Sequence, residues 1–303
     1  MRTGILIAIA LAGALSCMVM RVNVLGAQEL RVISEETVAG FAHPESVAYD
    51  PGDKVLYVGQ FGSVLKPTLK DAKGKISKVS LTGKLLEEQF LPAPGGILNK
   101  PKGIWIEGAR LWVTDIDVAW IFDLKTRKGR QVKLPGAVFA NDPTVIGNVL
   151  FVSDSKEGRM YRVGPANFLD TPGKPTVSVF PGPLPFTPNG LSPALDGSLL
   201  AVGFDKSAGE GRIHSITMEG TIKVLATGLG GLDGISQLED GSILVTDWQA
   251  RSLLWWNKEA GVKRLASGFK GPADFCVVPE AQGLMVVVPD LVKSELRMIH
   301  LSR

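Results

Sequence analysis

The chain reads as an all-β, six-bladed β-propeller. Three observations support this: one pattern recurs six times, turn residues are spread along the whole length, and helical periodicity is almost absent after residue 40. Its 303 residues include 35 glycines and 19 prolines, with 45% hydrophobic and 21% charged residues. That mixture can bury a large core, but it is punctuated too often for a coiled coil, a long-helix protein or a disordered chain. The length alone would suit either two average domains or one large closed one.

The recurrences decide between these. Six segments align: PESVAYDPGDKVLYV from Pro44, PKGIWIEGARLWVTD from Pro101, ANDPTVIGNVLFVSD from Ala140, PNGLSPALDGSLLAVGFD from Pro188, LDGISQLEDGSILVTD from Leu232 and PADFCVVPEAQGLMVVVPD from Pro272. Each opens on small or turn-forming residues, runs through a first strand and a tight Gly/Asp turn, and continues into a second, more apolar strand. Third strands follow at Arg159 to Val163, Arg212 to Met218 and Leu253 to Trp256. Fourth strands follow at Lys84 to Leu91, Arg130 to Leu134, Thr176 to Phe180, Thr221 to Ala226 and Val262 to Ala266. Four strands per unit, repeating every roughly 40 to 57 residues, is the sequence signature of a propeller. The sixth unit has only three strands, because the chain stops after Glu295 to Leu301. Glu29 to Ser34 (ELRVIS) is therefore predicted to supply the outer strand of the last blade and close the ring, since an open seam would leave strand edges unpaired.

Residues 1–27 read as an export signal, leaving 28–303 as a single propeller domain. Met1 to Thr3 is a short basic start, Gly4 to Met20 is uncharged and apolar, and Leu25, Gly26 and Ala27 form a cleavage-like stretch ahead of Gln28. Two alternatives stay open: an uncleaved membrane anchor, and lipidation at Cys17. A periplasmic or secreted location is expected, with membrane contact only through such an anchor. The formal charge of +3 is mostly a property of this leader. Without Arg2 and Arg21 the balance is 31 basic to 30 acidic residues, which argues against a nucleic-acid partner. Cys17 and Cys276 are the only cysteines, so no disulfide framework exists. Cys276, in the apolar run Phe275 to Val278, is expected to be an inert core thiol.

In a propeller the first strand of each blade starts at the rim of a central channel, so residues at one homologous leading position converge. The six units present Glu45, Lys102, Asn141, Asn189, Asp233 and Ala273 there. Four of these carry side-chain oxygen and none is a histidine or thiol. Such a set suits a hard cation, Ca²⁺ first, with Mg²⁺ or Mn²⁺ as alternatives, and disfavours zinc. Taken singly, Asn189 in PNG and Asp233 in LDG read as readily as turn residues. The aspartates that recur at second-strand ends, Asp115, Asp154, Asp247 and Asp290, read as structural.

Glu45 in PESVAYD, Asn141 in FANDP, Asn189 in TPNGL and Asp233 in GLDGI resemble the calcium-dependent six-bladed propellers of the gluconolactonase, regucalcin and senescence-marker family. The paraoxonases and strictosidine synthase-like proteins are more distantly similar. The resemblance covers essentially the whole chain after the leader. It implies a divalent metal held by Glu45, Asn141, Asn189 and Asp233, and hydrolysis of a sugar lactone or related ester. Two departures limit the transfer. Lactonases of this family tend to carry an arginine two residues before the third-blade asparagine, where this chain has Phe139. The histidine pair of the paraoxonases has no counterpart, and Lys102 stands at the second-blade position.

The expected activity is therefore an exported, metal-dependent hydrolase acting on a small-molecule lactone or ester as a monomer. Asp233 would be the general base, and Lys102 reads equally as a group that stabilises an oxyanion or carboxylate and as a solvated rim lysine. Asp142 and Asp274, one position further on, are candidate supporting partners. The long connections Ile97 to Pro101, Gly164 to Lys174 and Pro181 to Pro188 are candidate rim loops. Phe139, Leu184, Phe186 and Trp248 are the candidate substrate wall, which points to a hydrophobic or aromatic substrate. The Lys-rich segment Gly62 to Lys78 is expected to be a solvated loop. Blades such as PKGIWIEGARLWVTD also look like NHL repeats, so the alternative is a non-catalytic propeller that binds a ligand or protein in the cell envelope. No phosphate loop, dinucleotide fingerprint, serine elbow, HExxH or CxxC is present, so no cofactor beyond a metal is implied.

Overall fold

The computed structural model describes residues 29–303 and shows six four-stranded antiparallel sheets arranged as a propeller. The export signal expected at residues 1–27 lies outside the described residues. Blade one comprises β2 (Pro44–Asp50), β3 (Val55–Gln60), β4 (Lys75–Ser80) and β5 (Leu85–Leu91), after β1 (Arg31–Ala39). Blade two is β6 (Pro101–Glu107), β7 (Arg110–Asp115), β8 (Val118–Asp123) and β9 (Gly129–Lys133). Blade three is β10 (Ala140–Ile146), β11 (Val149–Asp154), β12 (Arg159–Gly164) and β13 (Thr176–Val179). Blade four is β14 (Thr187–Pro193), β15 (Leu199–Asp205), β16 (Glu210–Ile216) and β17 (Ile222–Leu229). Blade five is β18 (Leu232–Gln237), β19 (Ile243–Asp247), β20 (Ser252–Asn257) and β21 (Gly261–Ser267).

Blade six runs β22 (Cys276–Glu280), β23 (Gly283–Asp290) and β24 (Glu295–Ser302), and its fourth strand is β1. The ring thus closes as the sequence predicts, but over a longer stretch. The register runs from Arg31 opposite Ser302 to Ala39 opposite Glu295, rather than stopping at Ser34. Glu35, Glu36 and Thr37, beyond the predicted strand, look like loop residues in sequence. They become strand because β24 offers a full ladder of partners, while their side chains stay in water as an edge strand allows.

Six buried apolar clusters lie between neighbouring blades. Leu200, Val202 and Ile213 of blade four, for example, meet Leu232, Ile235 and Val245 of blade five, and Ala48 and Tyr57 of blade one meet Ile104 and Val113 of blade two. Packing is face to face between sheets, so the axis is left as a channel lined by the first strands.

Strand order fixes which loops see which end of that channel. First strands begin at the mouth where second strands finish. Hence the connections between second and third strands, and those leading into each new blade, lie on the mouth face. The other turns lie on the opposite face. Segment 164–174 joins β12 to β13 and so lies on the far face. There Asp170 pairs with Arg110, and Phe168 O and Thr171 O accept from the Arg130 guanidinium. It is not a rim loop.

The second-strand aspartates act as structural caps. Asp290 accepts from the backbone N–H groups of Lys270, Gly271 and Lys293 at 2.7, 3.0 and 3.0 Å. Asp115 accepts from Asn99 and Lys100, both at 2.8 Å, and Asp247 from Gly230 and Ala250 at 3.0 and 2.8 Å. Each ties a second strand to the loop that leads into its own blade.

Candidate functional site

The leading positions of the first strands sit in bulges rather than turns. Register shifts fall between Pro44 and Ser46, Pro101 and Ile104, Ala140 and Pro143, Pro188 and Leu191, and Leu232 and Ile235. A bulge re-aims side chains at the end of a ladder, here toward the axis. The glycines after Asn189 and Asp233 allow close approach. A Cβ on Gly190 would lie 2.2 Å from the Asp233 carbonyl oxygen, and one on Gly234 would lie 2.6 Å from Asp274 Oδ1. The turn reading of PNG and LDG is thereby replaced: both lie inside strands, and glycine is there because the first strands crowd at the axis.

Four predicted oxygen donors are brought together at the mouth. Asn141 donates from Nδ2 to Asn189 Oδ1 and, at 2.9 Å, to Ser155 Oγ. Asn189 donates to Leu232 O at 3.1 Å and also hydrogen-bonds the Asp233 carboxylate. The Glu45 carbonyl accepts from Asp274 N–H at 3.0 Å, linking blades one and six, and its side-chain Oε2 is buried without any partner. Ala273, the sixth leading residue, is buried and offers no polar side-chain atom.

The electrostatics follow from burial. Desolvation pushes the Asp233 carboxyl up to about 7, opposed by the hydrogen bond from Asn189. Glu45 is held well above the usual carboxylate range, by burial first and then by Asp233, with Lys102 acting against both. Burial likewise raises Asp142, reinforced by Asp274 and opposed by the Leu191 N–H, which Asp142 Oδ2 accepts at 2.6 Å. Asp274 is raised by burial and then by Asp233. Four carboxyl groups thus share one narrow channel, and they cannot all ionise without a compensating cation.

Lys102 is the one basic side chain at the leading positions. It is fully buried, and its ammonium stands 4.5 Å from the Phe139 ring and 5.8 Å from the Phe61 ring with no hydrogen-bond partner. Burial lowers its pKa to about 8, opposed chiefly by Glu45. It is therefore not a solvated rim residue. Phe139 packs on this lysine at the mouth.

The rest of the predicted wall divides. Phe186 is buried and stacks on His214, with ring centroids 3.8 Å apart and planes 8° from parallel. Leu184 packs against the cluster between blades three and four. Segment 181–188 therefore seals a blade seam rather than overhanging the mouth, because its apolar side chains bury more surface inward. Trp248 does stand on the mouth face with its side chain partly exposed, and its backbone N–H donates to Gly231 O at 2.8 Å.

Sequence reasoning missed three contributors: Ser155, Phe61 and Lys100. Lys100 is fully buried, and its ammonium is held by Phe61 O at 2.7 Å, Val64 O at 3.1 Å and Asp71 at 2.8 Å. It pins segment 61–74 across the mouth face, and part of the expected solvated loop is thus anchored. No local signal marks these residues: Phe61 and Lys100 act across the boundary between blades one and two, and Ser155 meets Asn141 only when β10 and β11 of blade three pair. His43 is a loop residue as expected, with Nδ1 2.9 Å from Leu291 O. Burial drives the Cys276 thiol far up, in keeping with an inert role.

Beyond the mouth the channel widens into a cavity of about 230 Å³ lined by Asp142, Asp274, Cys276, Tyr49, Ile104 and Ile235, among others. A larger hollow of about 710 Å³ lies between blades five and six on the far face, remote from the convergent oxygens. Among the described residues no three His, Cys, Asp or Glu side chains gather as a metal group. A cation at the mouth would therefore have to use the amide oxygens of Asn141 and Asn189.

No protein-family model matches the sequence, and no curated protein matches it. Solved structures do. A candidate gluconolactonase aligns over 90% of this chain and 94% of its own, at 15% identity and a TM-score of 0.63. A catalytically inactive virginiamycin B lyase from Staphylococcus aureus, with quinupristin, aligns over 91% and 100% at 16% identity and a TM-score of 0.58. A streptogramin B lyase aligns over 89% and 98% at 13% identity and a TM-score of 0.59. The chain shares their propeller fold.

Proposed function

We propose that this protein is an exported hydrolase of lactones or related esters that uses a divalent cation, Ca²⁺ first, at the channel mouth. The observation that carries the reading is the convergence of Glu45, Asn141, Asn189 and Asp233 from four blades, together with a carboxylate oxygen of Glu45 that is buried and without a partner. An orphaned buried acceptor in a carboxylate-rich channel fits a cation of oxygen preference, and the donor set contains no nitrogen or sulfur ligand that would favour zinc. The likeness to a candidate gluconolactonase supports the reading at the level of scaffold.

Glu45, Asn141, Asn189 and Asp233 would hold the ion, which supplies Lewis acidity toward a carbonyl oxygen and a bound water. The two amides add donors without charge. Asp233, with a carboxyl balanced near neutrality, accepts the proton of the attacking water and returns it to the departing alkoxide. Lys102 faces the negative charge that develops on the carbonyl oxygen, and the Phe61 and Phe139 faces keep water from screening it. Phe139, where the resembling lactonases tend to carry arginine, favours an apolar acyl or alkyl group over a polyhydroxy sugar. Trp248 belongs to the outer wall of the same opening.

The test is thermal unfolding with Ca²⁺, Mg²⁺, Mn²⁺ or chelator, followed by turnover on a panel of aliphatic and aromatic lactones. A ligand that binds only the folded chain must raise the midpoint. A rise that Asp233→Ala and Glu45→Gln abolish, with lactone turnover lost in both, is the expected result. A midpoint indifferent to every cation, with no turnover, would leave the protein as a binding propeller.

A further inference from the structure

The two faces of the propeller differ in what they show to solvent. The mouth-face loops carry Val64, Leu65, Leu69, Ile97, Trp248 and Val292, each between 37% and 55% exposed. These residues form connected groups. Trp248 and Val292, from blades five and six, both stand within 3 Å of the point where a Cβ on Gly271 would lie. Their floor is a small buried cluster of Phe61, Ala273 and Leu291, and Phe61 begins the segment that carries Val64, Leu65 and Leu69. Ile97 adjoins Leu98, which pairs with Gly74 at the end of that segment.

Charge on this face is also one-sided. Lys66, Lys73, Lys156, Lys206, Arg251 and Lys270 are exposed in the mouth-face loops. The acids of those loops outside the channel are each held by a base: Asp71 by Lys100, Asp117 by Lys70 and Glu157 by Arg159. The far-face loops instead mix acids such as Asp196, Glu219, Glu239 and Asp240 with bases such as Lys54, Lys125 and Lys128. In the mouth-face loops apolar and basic residues are adjacent in sequence at Leu65-Lys66, whose lysine is unpaired, and at Leu69-Lys70 and Val292-Lys293, whose lysines pair with Asp117 and Glu295. Such pairs put a side chain at acyl-chain level and a cation at headgroup level.

We propose that the mouth face docks on an anionic lipid surface, with Leu65, Leu69, Trp248 and Val292 entering the interface and the surrounding lysines on the headgroups. Charge complementarity selects this occupant: a surplus of unpaired cations ringing exposed apolar side chains matches a bilayer leaflet that offers negative charge and hydrocarbon together. A docked propeller would draw substrate from the lipid phase into the mouth. The docking itself does not depend on the mouth being catalytic.

The test is co-sedimentation of the purified full chain with phosphatidylcholine vesicles, with and without phosphatidylserine, at low and high salt. Binding should require phosphatidylserine and weaken with salt. Leu65→Glu with Leu69→Glu, Trp248→Ala, and Lys66→Glu with Lys73→Glu should each lower partitioning about tenfold or more. Leu85→Glu with Leu86→Glu, on the exposed outer strand of blade one, should not. Circular dichroism and an unchanged thermal midpoint confirm that each variant is folded. Absence of binding would overturn the proposal. So would mouth-face variants that bind like the parent, which would assign binding to the N-terminal apolar segment. Capture by polyglutamate without vesicle binding would overturn it too, pointing to an acidic protein partner.

Discussion

His214 offers a quantitative check on the packing that removed Phe186 from the substrate wall. The imidazole is 1% exposed, stacks on Phe186, and has a buried Nδ1 without a partner. Burial pushes its pKa down from 6.5 to about 4. A base whose folded pKa is depressed is held neutral by the fold, so the unfolded chain binds its proton first as pH falls. No penalty exists above pH 6.5, where both states are neutral. It grows as pH falls and levels off below about 4. The linkage relation sets its size at about 2 kcal/mol at pH 5 and about 3 kcal/mol at pH 4, against almost nothing at pH 7. The perturbation is His214→Phe, which keeps an aromatic face against Phe186 and removes the proton site. Urea unfolding of both proteins at pH 7, 6, 5 and 4 gives the difference in stability. That difference should move by about 3 kcal/mol in favour of the variant between pH 7 and 4. A difference constant across this range would show that His214 is solvated or paired, and that segment 181–188 does not seal the seam.

Asp290→Ala removes the acceptor of three backbone N–H groups and should cost about 3 kcal/mol in urea unfolding, more than any exposed aspartate replaced the same way. Gly190→Ala places a methyl 2.2 Å from the Asp233 carbonyl oxygen, so it should abolish the cation-dependent rise in Tm even though every donor side chain is retained. Lys102→Met removes a buried ammonium that has no hydrogen bond, and the midpoint should hold or rise while lactone turnover falls at least a hundredfold. Deleting residues 29–39 strips β24 of its partner and should give a chain that self-associates in sedimentation velocity, because the exposed ladder seeks another edge.

The convergence of Glu45, Asn141, Asn189 and Asp233 was legible because a ring turns sequence periodicity into spatial proximity. Residues about fifty positions apart need only occupy the same place in their repeats to meet at the axis. The same logic marked Asp115, Asp247 and Asp290 as repeated caps. Misreadings occurred where a side chain's fate depends on the neighbouring blade. Phe186 looked like a lid residue, since a Pro-rich loop leads into Asn189, yet His214 of the same blade takes it inward. Lys102 read equally well as solvated, until Phe61 and Phe139, from blade one and the approach to blade three, closed over it. Lys100 was passed over because its partners lie in a loop some thirty residues upstream.

Six repeats, their turn residues and a leftover N-terminal strand determine the closed ring and the identity of the residues at its mouth, because those properties depend only on order along the chain. Which carboxyls lose their water, which ammonium lacks a partner and which face exposes apolar and basic groups together are decided only when the blades pack. Desolvation is a property of neighbours in space, and neighbours across a seam leave no periodic mark in the sequence.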